Sequence, residues 1–165
     1  MITLGKVTVA QAQGPREHQE DFYVVKQDES GVLLAIMDGH IGERAARLCA
    51  EKIPHLFNMS AAVEHPERTL LALMSELGVQ TRSMRAGTTI SLVYITSGKA
   101  YAAFLGDSPI IIATHEGKLA VSEEHNARSN DNELRAAGAR GGVFDGSYLR
   151  NPATGAGLQM TRSLG

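Results

Sequence analysis

Between Gly87 and Val121 the sequence offers four apolar stretches, TTISLVYIT, AYAAFL, PIIIAT and KLAV, separated only by SGK, GDS and HEGK. Connectors this short, rich in Gly, Asp and Ser, reverse a chain between antiparallel neighbours; a parallel crossover needs a dozen residues or more. This part of the chain is therefore committed to antiparallel sheet. Upstream, strand alternation predicts Ile2 to Ala12, with Val7 and Val9 on one face, then Asp21 to Lys26 and Val32 to Met37, punctuated by Gly14-Pro15 and Ser30-Gly31. From Gly42 the period changes to about four: Ala45, Ala46, Cys49, Ile53 and Leu56 form an apolar stripe, while Glu43, Arg47, Glu51 and Lys52 face away. A second helix is predicted over Pro66 to Leu77, with proline in the first turn and Gly78 at the C-cap. A third is expected at Asp131 to Ala137, with Asn130 as N-cap, Glu133 as its capping-box partner and Gly138 as the stop. Residues 139 to 157 are glycine-rich and poorly patterned. Strands and helices that segregate rather than alternate make the class α+β.

At 165 residues the chain suits one domain with a real core, so residues 1–165 are read as a single unit with one site. The net charge is −2 and basic residues form no run, so the electrostatic footprint of a nucleic-acid binder is missing. Cys49 is the only cysteine, so no internal disulfide can form and a reducing compartment is the simpler expectation. Neither a signal-peptide pattern nor an apolar run near 18 residues occurs, and the sequence reads as cytoplasmic, without a membrane partner.

Chemistry concentrates at the ends of the apolar stretches. LLAIMDGHIGE, residues 33–43, delivers Asp38, Gly39 and His40 at the end of a buried-looking strand. Hard divalent cations take carboxylate and main-chain carbonyl oxygens, and a glycine lets its carbonyl approach an ion with no side chain in the way. RxxxED places Arg16 four residues before the adjacent carboxylates Glu20 and Asp21. AGTTI, residues 86–90, opens a strand with a close-packing glycine, and AFLGDS, residues 103–108, sets Asp107 in a turn. Taken singly, each is a common turn, a strand start or a surface ion pair.

Taken in order, RxxxED, IMDGH, AGTT, FLGDS and LxxTRSLG (residues 158–165) resemble the PPM family of metal-dependent serine/threonine protein phosphatases, also called type 2C. The resemblance runs from Arg16 to Gly165 and includes EEHNARSNDNELRAAGARGG, residues 123–142. It implies a four-layer α-β-β-α sandwich of two mostly antiparallel sheets flanked by helices. It also implies hydrolysis of phosphoserine and phosphothreonine in a phosphoprotein substrate by a water activated between two Mn²⁺ or Mg²⁺ ions. Asp38 would bridge the ions, with Glu20 and the Gly39 carbonyl completing one of them, and Asp107 would help hold a third. Asp21 would hold metal-bound water, Arg16 would grip the phosphate, and His40 would protonate the leaving oxygen. Cys49, on an apolar stripe, is expected in the core rather than as a nucleophile.

Three departures modify these expectations. Ile41 stands where the family usually has a second glycine, so the chain is expected to lead into its first helix without a positive φ there. Pro109 replaces an arginine after GDS. The family's motif after LxxTRSLG begins with an aspartate and two later motifs each add a metal-binding aspartate, whereas this sequence stops at Gly165. Asp131, Glu133 and Asp145 are carboxylates whose spacing nominates none as a substitute. Each close charge pair contributes about 4 kcal/mol at 4 Å with an effective dielectric of 20, so one ion or none is expected to bind firmly, with impaired turnover. A sandwich lacking its last strands and helices would expose sheet edges and an apolar face, with self-association as one outcome. The competing expectation is a pseudophosphatase or regulatory module that docks a phosphoprotein or another partner without turnover.

Overall fold

The computed structural model describes residues 5–165, which divide into two compact units, residues 5–104 with 164–165 and residues 105–163.

In the first unit β1 (Asp21–Asp28) and β2 (Gly31–His40) form a hairpin in full register, with Asp21 opposite Asp38 and Asp28 opposite Gly31. Asp28 sets the turn by accepting hydrogen bonds from the Ser30 main chain (2.8 Å) and hydroxyl, which hold its carboxyl below the usual range. Helix α1 (Arg44–Leu56) follows, then α2 (Met59–Glu64) and α3 (Pro66–Thr81). Strands β3 (Gly87–Thr88), β4 (Ile90–Thr96) and β5 (Lys99–Leu105) complete a sheet of order β1-β2-β4-β5, with β3 beside the end of β2.

Alternation gives this sheet two different faces. Val24, Leu33, Ala35, Met37, Leu92 and Tyr94 are buried and, by register, share the face that meets the helices, where Ala45, Ala46, Cys49, Ile53, Leu70, Leu73 and Leu77 are also buried. Lys26, on the same face, donates from Nζ to the carbonyls of Pro54 and Phe57, both at 2.7 Å, and so caps the end of α1. The opposite face carries Tyr23, Val25 and Ile36, which are 46%, 40% and 47% exposed, so the expected open apolar face is present.

Tyr94 is fully buried and packs edge-on against Phe57, yet its hydroxyl has no hydrogen-bond partner among the described residues. It fits because Gly31 has no side chain: a Cβ there would lie 2.9 Å from the Tyr94 ring. Tyr94→Phe is therefore expected to leave stability unchanged or raise it by up to about 1 kcal/mol in a denaturant melt, since it removes an unsatisfied buried group.

The second unit contains the hairpin β6 (Ile111–Ala113) and β7 (Leu119–Val121), helix α4 (Asp131–Ala139), and a small antiparallel sheet of β8 (Val143–Phe144), β9 (Leu149–Arg150) and β10 (Gly157–Leu158). Asn130 caps α4 as expected, accepting from the main-chain N–H groups of Asn132 and Glu133.

The class is α+β with antiparallel sheets, and several local expectations are corrected. Residues 5–12 of the first predicted strand form no strand, and Ile2 to Leu4 lie outside the described residues. Val9 is 40% exposed, and Gln11 ties the segment to the Asp21 carbonyl through its side chain instead of a ladder. Helix α2 was not expected; six residues are too few for periodicity to declare, and Asn58 caps it from the side chain. Gly78 lies inside α3, which runs on to Thr81 because Leu77 and Thr81 are both buried. Glu133 makes no capping box, because its carboxylate is bonded to Thr161 and Arg162. Gly138 lies within α4, and Gly141 at φ 92° makes the reversal instead. Ile41 does adopt a positive φ, 59°, against expectation.

Candidate functional site

The DGH stretch is not a turn but the last three residues of β2. Because Asp38 shares the parity of Ile36, its side chain belongs to the sheet face that the helices leave open. Asp21 stands directly opposite, and both carboxylates are exposed. Like charges facing each other across a ladder repel.

Three residues of AGTT fix the main chain beneath that carboxylate. The Asp38 N–H donates to Thr89 Oγ1 at 3.0 Å. The Asp38 carbonyl accepts from the Thr89 N–H at 2.9 Å and from the Thr88 hydroxyl at 3.1 Å. Gly87 pairs with His40, whose imidazole lies so close that a Cβ on residue 87 would collide with Nε2 and Cε1. Thr88 is held on its other side by reciprocal main-chain bonds with Leu164, at 2.8 and 2.9 Å. Gly39 in turn donates to the Glu20 carbonyl at 3.1 Å, and its missing side chain lets that peptide and Ala46 of α1 approach. The roles of Thr88 and Thr89 were not foreseen. Their signal was a pair of hydroxyl residues at the start of a strand too buried to leave them without partners.

Glu20 ends the loop before β1 and Asp21 opens the strand; the loop is tied by glutamines. Gln13 donates to the carbonyls of Arg16 (2.7 Å) and Glu17 (3.1 Å), and Gln19 accepts from the Asp21 N–H at 3.2 Å. Arg16 itself is exposed. The first unit thus gathers Glu20, Asp21, Asp38, Gly39 and His40 around one end of its sheet, whereas Asp107 belongs to the second unit. There Asp107 accepts from the Asn126 amide at 2.6 Å, while Gly106 and His125 exchange two bonds, the Gly106 N–H donating to His125 Nδ1 at 3.2 Å. Burial, with help from the Arg162 charge, holds the His125 pKa below its ordinary value against the opposing pull of Glu133 and Glu123.

As ligands for a metal, these groups fit a hard cation in kind, being carboxylate and carbonyl oxygens, but not in number. Among the described residues no three Asp, Glu, His or Cys side chains are grouped closely enough to hold an ion. Of the other carboxylates weighed, Glu133 is engaged with Thr161 and Arg162, and Asp145 is held down to about 2 by main-chain N–H groups of Tyr148 and Ser147 and by Arg150. Cys49 lies in the α1 core, where burial pushes its thiol up to about 12, so it offers no thiolate nucleophile. Among the described residues no helix is long and apolar enough to cross a membrane.

Comparison with known proteins identifies the family and the fold. The family model described as Protein phosphatase 2C matches residues 6–165. A rice protein named probable protein phosphatase 2C 52 is 31% identical over 93% of this chain and 33% of its own length. Protein phosphatase 1K, mitochondrial, of Xenopus laevis is 25% identical over 99% of this chain and 47% of its own. This chain thus spans between about a quarter and a half of the first such relatives. Among solved structures, serine-threonine phosphatase 2C from Toxoplasma gondii superposes with a TM-score of 0.66 at 16% identity, covering 92% of this chain and 65% of that one. A PPM Ser-Thr phosphatase from Mycobacterium smegmatis gives 0.59 at 21% identity, covering 94% and 65%. These likenesses establish the PPM phosphatase fold, and the chain belongs to the protein phosphatase 2C family.

Proposed function

We propose that this chain carries substrate- and metal-facing groups of a metal-dependent protein serine/threonine phosphatase, acting on phosphoserine and phosphothreonine of a phosphoprotein in a reducing, cytoplasmic setting. The observation that supports this most is the Thr88–Thr89 grip on the Asp38 main chain, together with the Gly39 and Gly87 close approaches. These four positions fix the backbone from which the exposed Asp38 side chain projects, which is the kind of rigid support that a binding group needs. In this reading Asp38, Glu20 and the Gly39 carbonyl hold Mn²⁺ or Mg²⁺, and Asp107 contributes to a further weak site. Asp21 orients water, Arg16 binds the phosphate with its planar fork, and His40, steadied over Gly87, delivers a proton to the departing seryl or threonyl oxygen. When bound, the cation supplies charge neutralisation on phosphate oxygens and a lowered pKa for water.

A second reading is a phosphoprotein-binding module without turnover, which the lack of any grouping of three metal-binding side chains among the described residues favours. Calorimetric titration of the 165-residue chain with Mn²⁺, beside turnover of p-nitrophenyl phosphate, separates the two. Binding is expected to be weak, with a dissociation constant on the order of 0.1–1 mM, and Asp38→Asn is expected to weaken it at least about tenfold. Turnover that requires Mn²⁺ and disappears in Asp38→Asn supports the enzyme. Mn²⁺ binding with no turnover supports the binding module, and binding indifferent to Asp38→Asn overturns the metal assignment.

A further inference from the structure

Ile41 is one of two non-glycine residues with positive φ among those described, and the other, Ser97, sits in a hairpin turn. A β-branched side chain at φ 59° is a true outlier, because Cβ crowds the carbonyl that follows. Packing does not offset this strain, since Ile41 is 64% exposed. The fold has no structural need of isoleucine here: the reversal requires only the left-handed backbone, which glycine or asparagine adopts at little cost. What isoleucine adds is an exposed apolar group on the residue that follows His40, at the end of the strand that presents Asp38.

We infer that Ile41 is a specificity-determining residue that meets an apolar side chain flanking the phosphorylated residue of the substrate. The inference rests on the phosphatase-site reading above: a phosphate held near Asp38 and His40 brings the neighbouring residues of its peptide across position 41. Strained backbone positions cluster at active sites and ligand clamps, where the strain serves the site rather than the packing. An apolar contact of this size discriminates moderately, because methyl and methylene groups contribute little each.

The test is fluorescence polarisation with labelled phosphoserine peptides in Mn²⁺, one with leucine flanking the phosphoserine on both sides and one with serine, each beside its unphosphorylated form. The wild-type chain is expected to bind the leucine-flanked phosphopeptide about five- to tenfold more tightly than the serine-flanked one. Ile41→Gly and Ile41→Asn are expected to bring that ratio to about one while retaining phosphate dependence, with melting temperatures no lower than wild type. Wild-type binding to both phosphopeptides without preference, or a preference that survives in either variant, overturns the role of Ile41 and leaves the site reading intact. Binding that ignores phosphorylation overturns the site reading, and the inference with it.

Discussion

Gly39→Ala is expected to destabilise the protein by about 3 kcal/mol and to abolish the Asp38-dependent component of Mn²⁺ binding. A Cβ at this position would lie 2.6 Å from the Glu20 carbonyl oxygen and 3.3 Å from both Cβ atoms of Glu20 and Ala46. None of these neighbours is the far end of a flexible side chain. The Glu20 carbonyl is held by the Gly39 N–H at 3.1 Å, and Ala46 is a fully buried position of α1, so relief requires moving a strand end away from a helix. Overpacking of such sites typically costs 1–3 kcal/mol, and disturbing the bond to Glu20 adds to it. The functional loss should exceed what stability explains, because the displaced peptide lies between Asp38 and His40 and the displaced loop presents Glu20. Urea melts and Mn²⁺ titration on the same preparation check both parts. A folded Gly39→Ala with wild-type Mn²⁺ affinity would show that the close approach does not govern the site.

That site was legible in the sequence in an uneven way. β1, β2 and α1 are long enough for their periods to declare themselves, and each apolar position assigned to the core face of α1 up to Ile53 is buried. The carboxylates at strand ends were also visible, because a polar residue after an apolar run stands out whatever the fold. What could not be read was which strand lies beside which. AGTT announces a β-strand by composition, but its hydroxyls matter because β3 and β4 pair with β2 across a gap of about fifty residues that includes three helices. Ile41 illustrates the opposite error: propensity forbids a positive φ to isoleucine, and local preference yielded to the need to turn from β2 into α1. Gly78 shows the same competition, since burial of Leu77 and Thr81 carried α3 past a residue that ordinarily ends helices.

Glu133 is the clearest case of a misread residue, and replacing it with alanine is expected to cost about 2 kcal/mol. Three residues after Asn130, it has capping-box spacing, yet its carboxylate turns to a segment 28 and 29 residues away. Oε2 accepts from the Thr161 hydroxyl at 2.6 Å and from Arg162 Nε at 2.9 Å, while Oε1 accepts from Arg162 Nη2 at 2.6 Å. The glutamate side chain is 9% exposed and the arginine side chain 45%. Breaking a fully buried pair costs about 3–5 kcal/mol, but here water can take over the arginine, which brings the figure down. Burial alone would raise the Glu133 pKa; the hydrogen bonds from Arg162 and Thr161, with the charges of Arg162 and His125, outweigh it and leave the carboxyl below its ordinary 4.5. A carboxylate with a lowered folded-state pKa stabilises fully above the unfolded value, and that contribution fades as pH falls through the folded one. Above pH 5 the gap between wild type and Glu133→Ala also carries the pull of Glu133 on His125, and between pH 5 and 3.5 it should shrink as the carboxylate is protonated. Asp28 and Asp145, also held low, lose their contributions in both proteins and cancel from the difference. Urea melts at pH 7, 5 and 3.5 measure the gap. A gap that widens between pH 5 and 3.5 would mean that the Glu133 contact holds Thr161 and Arg162 through its neutral form, and that the ion pair is not what anchors these two residues to α4.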